Sequence, residues 1–89
     1  MHVTVEMPAM LAMGQSRTTT LEAATVREAL EQLNKKYPGV GSHLFDERRR
    51  LRPLVRIAVG EDILARDGEL DRAVSEGANI LIFQAIAGG

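Results

Sequence analysis

The amino-acid sequence predicts an α+β fold in which one main helix packs across one face of a mixed sheet of four to five strands. Three segments carry this prediction. Residues 2–7 alternate between apolar and polar side chains, residues 25–37 have the pattern of a capped amphipathic helix, and residues 79–85 are rich in isoleucine, leucine and phenylalanine. Because strand patterns flank the single long helix pattern on both sides, a sheet covered by one helix is favoured.

The first two strands are predicted to form a hairpin. Residues 2–7 alternate, which is typical of a half-buried strand. Its apolar face carries Val3, Val5 and Met7, and its polar face carries His2, Thr4 and Glu6. Pro8 lacks a backbone donor and interrupts the ladder, so residues 8–15 are expected to form the loop. The β-branched threonines within residues 16–22 favour the return strand.

The main helix is predicted to begin with a capping box. In this motif the Thr25 hydroxyl accepts from the backbone N–H of Glu28, and the Glu28 side chain reaches back to the N–H of Thr25. The apolar positions that follow share one helical face, and Pro38-Gly39 ends the pattern. Those positions are Val26, Ala29, Leu30, Leu33 and Tyr37. We expect this face to lie against the sheet.

Residues 39–53 are predicted to be an irregular connection with one short helical turn at residues 42–45, where Leu44 and Phe45 cover an edge of the core. The connection then carries four arginines in the five positions 48–52. Such a run sometimes contacts a phosphate or an acidic partner. Because aromatic residues that stack on bases are nearly absent, we favour a solvated loop.

The second half of the chain contains three predicted strands. In chain order they are residues 54–59, residues 63–64 and residues 79–85. In the first of them, Val55, Ile57 and Val59 alternate with Arg56 and Ala58. Turns at Gly60-Glu61-Asp62 and at Asp67-Gly68 separate the strands. Leu70 and Val74 are expected to fill the core, and the last strand is expected to be well buried.

Composition excludes several classes of function. The 89 residues include 11 lysines and arginines and 12 aspartates and glutamates, so no overall field favours nucleic acid or an anionic membrane. No apolar run approaches the roughly 20 residues of a membrane span, and residues 1–4 lack the basic start of a signal peptide, so we expect a cytoplasmic protein. The absence of cysteine excludes disulfides, a cysteine-ligated metal site and a cysteine nucleophile.

No metal site or catalytic side chain is predicted. His2 and His43 lack convincing partner ligands and are interpreted as surface or structural residues. Ser42 and His43 are neighbours in sequence, which does not orient them as a catalytic dyad. Met10 and Met13 are more typical of flexible gap-fillers at a core edge than of soft metal ligands.

The last five residues, Ala85-Ile86-Ala87-Gly88-Gly89, are interpreted as the working part of the chain. The carboxylate of Gly89 is ionised at neutral pH and is a poor electrophile, so it must be activated before it reacts. The two glycines have no Cβ, which allows the backbone to enter a narrow channel of another enzyme. The alternative is a frayed end without function.

Several of these features together resemble the β-grasp sulfur-carrier proteins related to ubiquitin. They are the element order, the capping-box helix, the turn near Gly60-Glu61-Asp62, the Glu76-Gly77-Ala78-Asn79 approach to the last strand and the Gly88-Gly89 end. The resemblance covers essentially the whole chain. The ending of residues 85–89 is most similar to the carriers that supply sulfur for cysteine and related thio-metabolites. Molybdopterin carriers usually have a pair of prolines where this chain has Gln84-Ala85. Thiamine-pathway carriers are shorter and generally lack an insert like residues 39–53. Both groups are therefore less similar to this chain.

The resemblance implies a β-grasp domain at residues 1–84 and a flexible tail at residues 85–89. It also implies a protein cosubstrate that binds no cofactor itself, rather than an enzyme. An adenylating enzyme of the ubiquitin-activating type would use ATP to convert the Gly89 carboxylate to an acyl adenylate. Sulfide, or a persulfide on a sulfurtransferase, would displace AMP, and the resulting thiocarboxylate would donate sulfur to a biosynthetic enzyme.

A partner-binding surface is predicted from strand parity. If Ile80 and Ile82 point at the helix, Leu81 and Phe83 lie on the open face of the sheet, with Arg56 alongside. Phe83 also matches the exposed apolar patch of ubiquitin, counted back from the terminal glycine. The residues predicted to bind the activating enzyme are Arg56, Leu81, Phe83, Ile86, Ala87 and Gly88. In the alternative, Phe83 belongs to the core, because a slip of one residue reverses the two faces.

Other functions stay open at this point. A ubiquitin-like modifier would join Gly89 to lysines of other proteins, and the small subunit of molybdopterin synthase would insert its tail into a larger catalytic partner. A plain β-grasp interaction module would end in Gly-Gly by accident. The free sulfur carrier is favoured over these three.

Overall fold

The computed structural model describes residues 1–8, 17–64 and 66–84. Its strands are β1 (His2–Glu6), β2 (Thr18–Glu22), β3 (Val55–Val59), β4 (Asp62–Ile63) and β5 (Ala78–Gln84). Its helices are α1 (Val26–Lys36) and α2 (Val40–Leu44), with a 3₁₀ turn at Arg66–Glu69. Apart from Pro8, the predicted loop at residues 8–15 lies outside the described residues, as does the tail at residues 85–89.

The five strands form one mixed sheet in the order β2-β1-β5-β3-β4. β1 pairs antiparallel with β2 and parallel with β5, and β3 pairs antiparallel with β5 and β4. Two parallel strands cannot be joined by a tight turn, so the chain between β1 and β5 must cross over the sheet. The predicted fold class and the hairpin of the first two strands are confirmed.

Helix α1 covers one face of the sheet because its apolar stripe faces inward. Its buried residues are Val26, Ala29, Leu30 and Leu33. The Thr25 hydroxyl accepts from the N–H of Glu28 at 3.1 Å, which is the first bond of the predicted capping box. At the other end, the Tyr37 N–H donates to the Leu33 carbonyl at 2.9 Å. The predicted helix and its inward face are confirmed.

Helix α2 begins two residues before the predicted turn at residues 42–45. Gly39 precedes it at φ 103°, a left-handed conformation that suits glycine. The side-chain oxygen of Asn34 accepts from the N–H of Gly41 at 2.8 Å and fixes the first turn of the helix. Val40 and Leu44 are buried, and Phe45 packs partly buried against the core. The earlier start therefore depends on Asn34, seven residues away.

Two predictions for the second half of the chain need correction. The short strand is Asp62–Ile63, because Leu64 turns into the core after its N–H bonds the Ile57 carbonyl at 2.9 Å. The last strand is buried on one face only, since α1 covers one side of the sheet. It also begins one residue earlier than predicted, at Ala78. The core positions predicted between these strands, Leu70 and Val74, are buried.

Candidate functional site

Burial along β5 alternates with a period of two. Ile80 and Ile82 are each 1% exposed, whereas Leu81 is 39% exposed and Phe83 is half-buried. Because successive side chains of a strand point to opposite faces, the isoleucines face α1 and the other two face away from it. The predicted faces are confirmed, and Phe83 lies outside the core beneath α1.

An apolar row crosses the open face of the sheet from β5 to β4. Leu81 lies opposite Ala58 of β3, and Ala58 lies opposite Ile63 of β4. Ile63 is 65% exposed, the most exposed of the large apolar side chains in the described part of the chain. The residues Ala58, Ile63, Leu81 and Phe83 are termed the open-face patch. Ala58 is itself 6% exposed, so Ile63, Leu81 and the half-buried Phe83 supply the exposed apolar surface, which is typical of a protein-binding site.

Sequence reasoning missed Ile63 as a member of this patch. It located Ile63 in a short strand but gave that strand no face. The face follows from the register of Ile63 with Ala58, which the tight turn at Gly60 (φ 60°) determines. The alternation of residues 55–59, continued through that turn, is the signal that would have identified it.

Arg56 lies beside the patch, directly opposite Phe83. It is half-buried, and one terminal nitrogen of its guanidinium donates to the carbonyl of Val55 at 3.1 Å and to the carbonyl of Pro53. These two bonds hold the charged group over the start of β3. Val55 pairs with Gln84, the last residue of β5, so Arg56 lies beside the end of the described part of that strand.

The predicted tail residues Ile86, Ala87, Gly88 and Gly89 lie outside the described residues, and their roles stay predictions. The last described residue, Gln84, is exposed. The structure therefore brings together three of the predicted site residues, Arg56, Leu81 and Phe83, at the end of the strand that leads into the tail.

The interior of the domain is apolar. In residues 1–8, 17–64 and 68–84 one polar side chain is buried, Thr19, whose hydroxyl lies 3.1 Å from that of Tyr37. No three histidine or acidic side chains of these residues are grouped so as to hold a metal ion. Among the described helices, none combines the length and the apolar composition needed to cross a membrane.

His2 forms a structural cluster with two glutamates. Its ring nitrogens lie 3.1 Å from a carboxylate oxygen of Glu76 and 3.3 Å from one of Glu22. Its backbone N–H also donates to Glu76 at 2.9 Å, and this bond is the main cause that holds the pKa of the Glu76 carboxyl below its ordinary value. The cluster joins the start of β1 to the turn before β5. His43 is exposed on α2.

Known proteins resemble the chain over its full length. The profile of the ThiS family matches residues 10–89. The sulfur carrier protein CysO of Mycobacterium tuberculosis is 28% identical over 93 aligned residues, which span 100% of both chains.

Solved structures share the fold, and two examples contain CysO. The crystal structure of Mycobacterium tuberculosis CysO has a TM-score of 0.85 and 25% identity, and the match covers 94% of this chain and 99% of that chain. A chain of the Amycolatopsis orientalis BexX/CysO complex has a TM-score of 0.84 and 27% identity, covering 98% of this chain and 99% of that chain.

Proposed function

Because this chain belongs to the ThiS family and has the ubiquitin-like β-grasp fold, we propose that it carries sulfur as a thiocarboxylate on Gly89. The observation that carries the proposal is the alignment with a protein named as a sulfur carrier over 100% of both chains. On this proposal the chain is a protein cosubstrate, and its side chains perform no chemistry. The sulfur is carried on a main-chain carbonyl, in agreement with a sequence that has no cysteine.

The chemistry proceeds in two displacement steps. In the first, an adenylating enzyme of the ubiquitin-activating type joins the Gly89 carboxylate to the α-phosphate of ATP, and pyrophosphate leaves. In the second, sulfide attacks the acyl carbon, the bond from that carbon to the AMP oxygen breaks, and AMP leaves. A persulfide donor requires one more thiol, which releases the thiocarboxylate by forming a disulfide. The thiocarboxylate then donates its sulfur to a biosynthetic enzyme.

The open-face patch and Arg56 are the proposed docking surface for the activating enzyme. Exposed Leu81 and Ile63 supply apolar area, and the guanidinium of Arg56 is already held in place by two backbone carbonyls. The five residues after Gln84 reach at most about 18 Å when extended. An enzyme resting on the patch therefore has the Gly89 carboxylate within reach of its nucleotide. The Amycolatopsis orientalis complex supports a protein partner for a chain of this fold.

Extending the C-terminus beyond Gly89 tests whether the Gly89 carboxylate is the group that is activated. A chain extended by one alanine after Gly89 keeps the domain but moves the carboxylate off Gly89. With ATP and an adenylating enzyme from the same genome, the unextended chain is expected to release pyrophosphate and the extended chain to release none above background. A chain extended by one alanine before Met1 serves as the matched control and keeps activity. Equal release by the two extended chains would refute a role for the Gly89 carboxylate.

A further inference from the structure

The arginines after α2 lie on a solvent-exposed turn, as the solvated-loop interpretation predicted, and the backbone of this turn is ordered by hydrogen bonds. A carboxylate oxygen of Asp46 accepts from the backbone N–H groups of Arg48 at 2.8 Å and Arg50 at 3.0 Å. The N–H of Asp46 donates in turn to the Arg50 carbonyl at 2.9 Å. The flanking residues Phe45 and Leu51 form a single antiparallel bridge. Residues 46–50, termed the arginine turn, therefore present three arginines in a fixed arrangement.

The backbone of Arg49 adopts a conformation that is unfavourable for arginine. Its φ of 62° lies in the left-handed region, where glycine or asparagine fits with less strain. An outlier of this kind justifies a functional hypothesis when the side chain is not otherwise engaged. Within the described part of the chain, Arg48, Arg49 and Arg50 form no ion pair, whereas Arg27 and Arg72 pair with Asp71 and Asp62.

Arg49 lines an open cleft of about 490 Å³ between the arginine turn and the outer side of α1. Its lining includes Arg27, Glu31, Gln32, Lys35, Phe45 and Arg49. Residues 46–52 carry four arginines and two carboxylates, although the whole chain has a net charge of −1. The positive charge is therefore concentrated at this point, which favours and orients approach by a negatively charged partner.

The chain after the arginine turn leads to the end of the sheet where the described part of β5 stops. The hydroxyl of Tyr37, just after α1, lies 3.1 Å from that of Thr19 in the first part of β2. β3 begins at Val55, four residues after Leu51, and Val55 pairs with Gln84. The end of α1 and the start of β3 therefore flank the end of the sheet at Gln84, and residues 51–54 join the arginine turn to it.

We propose that the arginine turn and its cleft bind an acidic, extended segment of a partner protein. Planar guanidinium groups pair with carboxylates through two parallel hydrogen bonds, which suits aspartate and glutamate side chains. The Gln32 amide offers a donor and an acceptor to a peptide backbone. A nucleic-acid strand fits less well, because its bases would need exposed aromatic rings for stacking and the one aromatic ring that lines the cleft, Phe45, is half-buried.

The proposal is tested by titrating the full chain with a glutamate-rich peptide and following backbone amide shifts by NMR. Shifts are expected at Lys35, Phe45 and the arginine turn, and binding should weaken with added salt. The R48Q/R49Q/R50Q variant should bind about tenfold more weakly, since three exposed cation contacts are lost. R49N tolerates the left-handed conformation and should bind about threefold more weakly. R72Q, outside the turn, is the matched control and should bind as the unaltered chain does.

Two results would overturn the proposal. One is the absence of a role for the arginine turn in peptide binding, seen either as equal binding by the triple glutamine variant and the unaltered chain or as peptide-induced shifts confined to the open-face patch. The other is tighter binding of a single-stranded oligonucleotide of the same charge than of the peptide, abolished by the same variant, which would make the turn a nucleic-acid site. The titration needs neither ATP nor an activating enzyme, so it succeeds or fails independently of Gly89 chemistry.

Discussion

Arg56 lies directly opposite Phe83 in the antiparallel pairing of β3 with β5. Directly paired residues have Cβ atoms about 4.5–5.5 Å apart, so these two side chains leave the sheet side by side on the open face. The next residue after Phe83 is Gln84, where the described part of β5 ends. A partner that binds this pair is therefore adjacent to the tail that we propose it modifies.

Phe83→Ala is expected to weaken docking without unfolding the domain. Phe83 is half-buried and lies outside the core, so its loss should raise the KM for the carrier about tenfold in a pyrophosphate-release assay. The adjacent Ile82→Ala is the control, because Ile82 is 1% exposed and its truncation should cost about 2–5 kcal/mol of unfolding free energy. Equal losses of stability in the two variants would assign Phe83 to the core.

Thr25→Ala is expected to lower the unfolding free energy by about 1 kcal/mol. The substitution removes the hydroxyl that accepts from the Glu28 N–H at the start of α1. Thr25→Ser retains that hydroxyl and should stay close to the unaltered chain in chemical denaturation. If the serine and alanine variants lose the same stability, the cap does not contribute and the methyl group of Thr25 does.

Acid is expected to destabilise the fold partly through Glu76. The N–H of His2 bonds this carboxylate, which lowers the folded-state pKa below the ordinary value of 4.5. The ionised form is therefore the stabilising one. Its contribution is fully present above the ordinary pKa and is lost as the pH falls through the lower folded-state pKa.

The measurement is the melting temperature between pH 6 and pH 2, a range that spans roughly the pKa values of carboxyl groups. Glu76→Gln should show a shallower fall than the unaltered chain, because the amide does not titrate. Glu61→Gln removes the same charge at an exposed position of the turn before β4 and should keep the full slope. Parallel acid profiles for Glu76→Gln and the unaltered chain would exclude this contribution.

Gly77, in the turn before β5, and Gly68, in the 3₁₀ turn at Arg66–Glu69, should differ in their tolerance of alanine. Gly77 has φ 79°, so Gly77→Ala should cost about 1–2 kcal/mol of unfolding free energy. Gly68 has no atom within 4 Å of an added Cβ and no left-handed φ. Gly68→Ala should leave stability unchanged or raise it by up to about 1 kcal/mol. Similar losses in both variants would show that backbone conformation is not the cause.

Strong periodicity made much of the fold predictable. The two-residue alternation of β1 and the apolar stripe of α1 each identify one buried face, and the structure buries those same side chains. Element boundaries were less predictable where distant residues determine them. The start of α2 depends on Asn34, and the end of β4 depends on the bond from Leu64 to Ile57. Neither relationship is local in sequence.

The candidate site was predictable only in part, for a related reason. The alternation within β5 predicted that Leu81 and Phe83 lie on the open face, and the structure confirms it, because α1 covers only the side that carries Ile80 and Ile82. Ile63 belongs to the open-face patch because it pairs with Ala58 of β3, and the residue pattern of β4 alone does not reveal this pairing. The arginine run was visible in the sequence, but the fixed backbone conformation of this turn depends on the hydrogen bonds that the N–H groups of Arg48 and Arg50 donate to Asp46. The working role of Gly89 stays a prediction from the tail sequence and the resemblance.

The measurement that tests the central claim most directly is intact-mass spectrometry after incubation with ATP, sulfide and an adenylating enzyme, followed by thiol alkylation. Alkylation is needed because oxidation of one of the four methionines nearly matches oxygen-to-sulfur exchange in mass. We predict one ATP-dependent adduct per chain, located at Gly89 by fragmentation. A folded chain that gains no adduct from an enzyme that does modify its own known carrier would contradict the sulfur-carrier account.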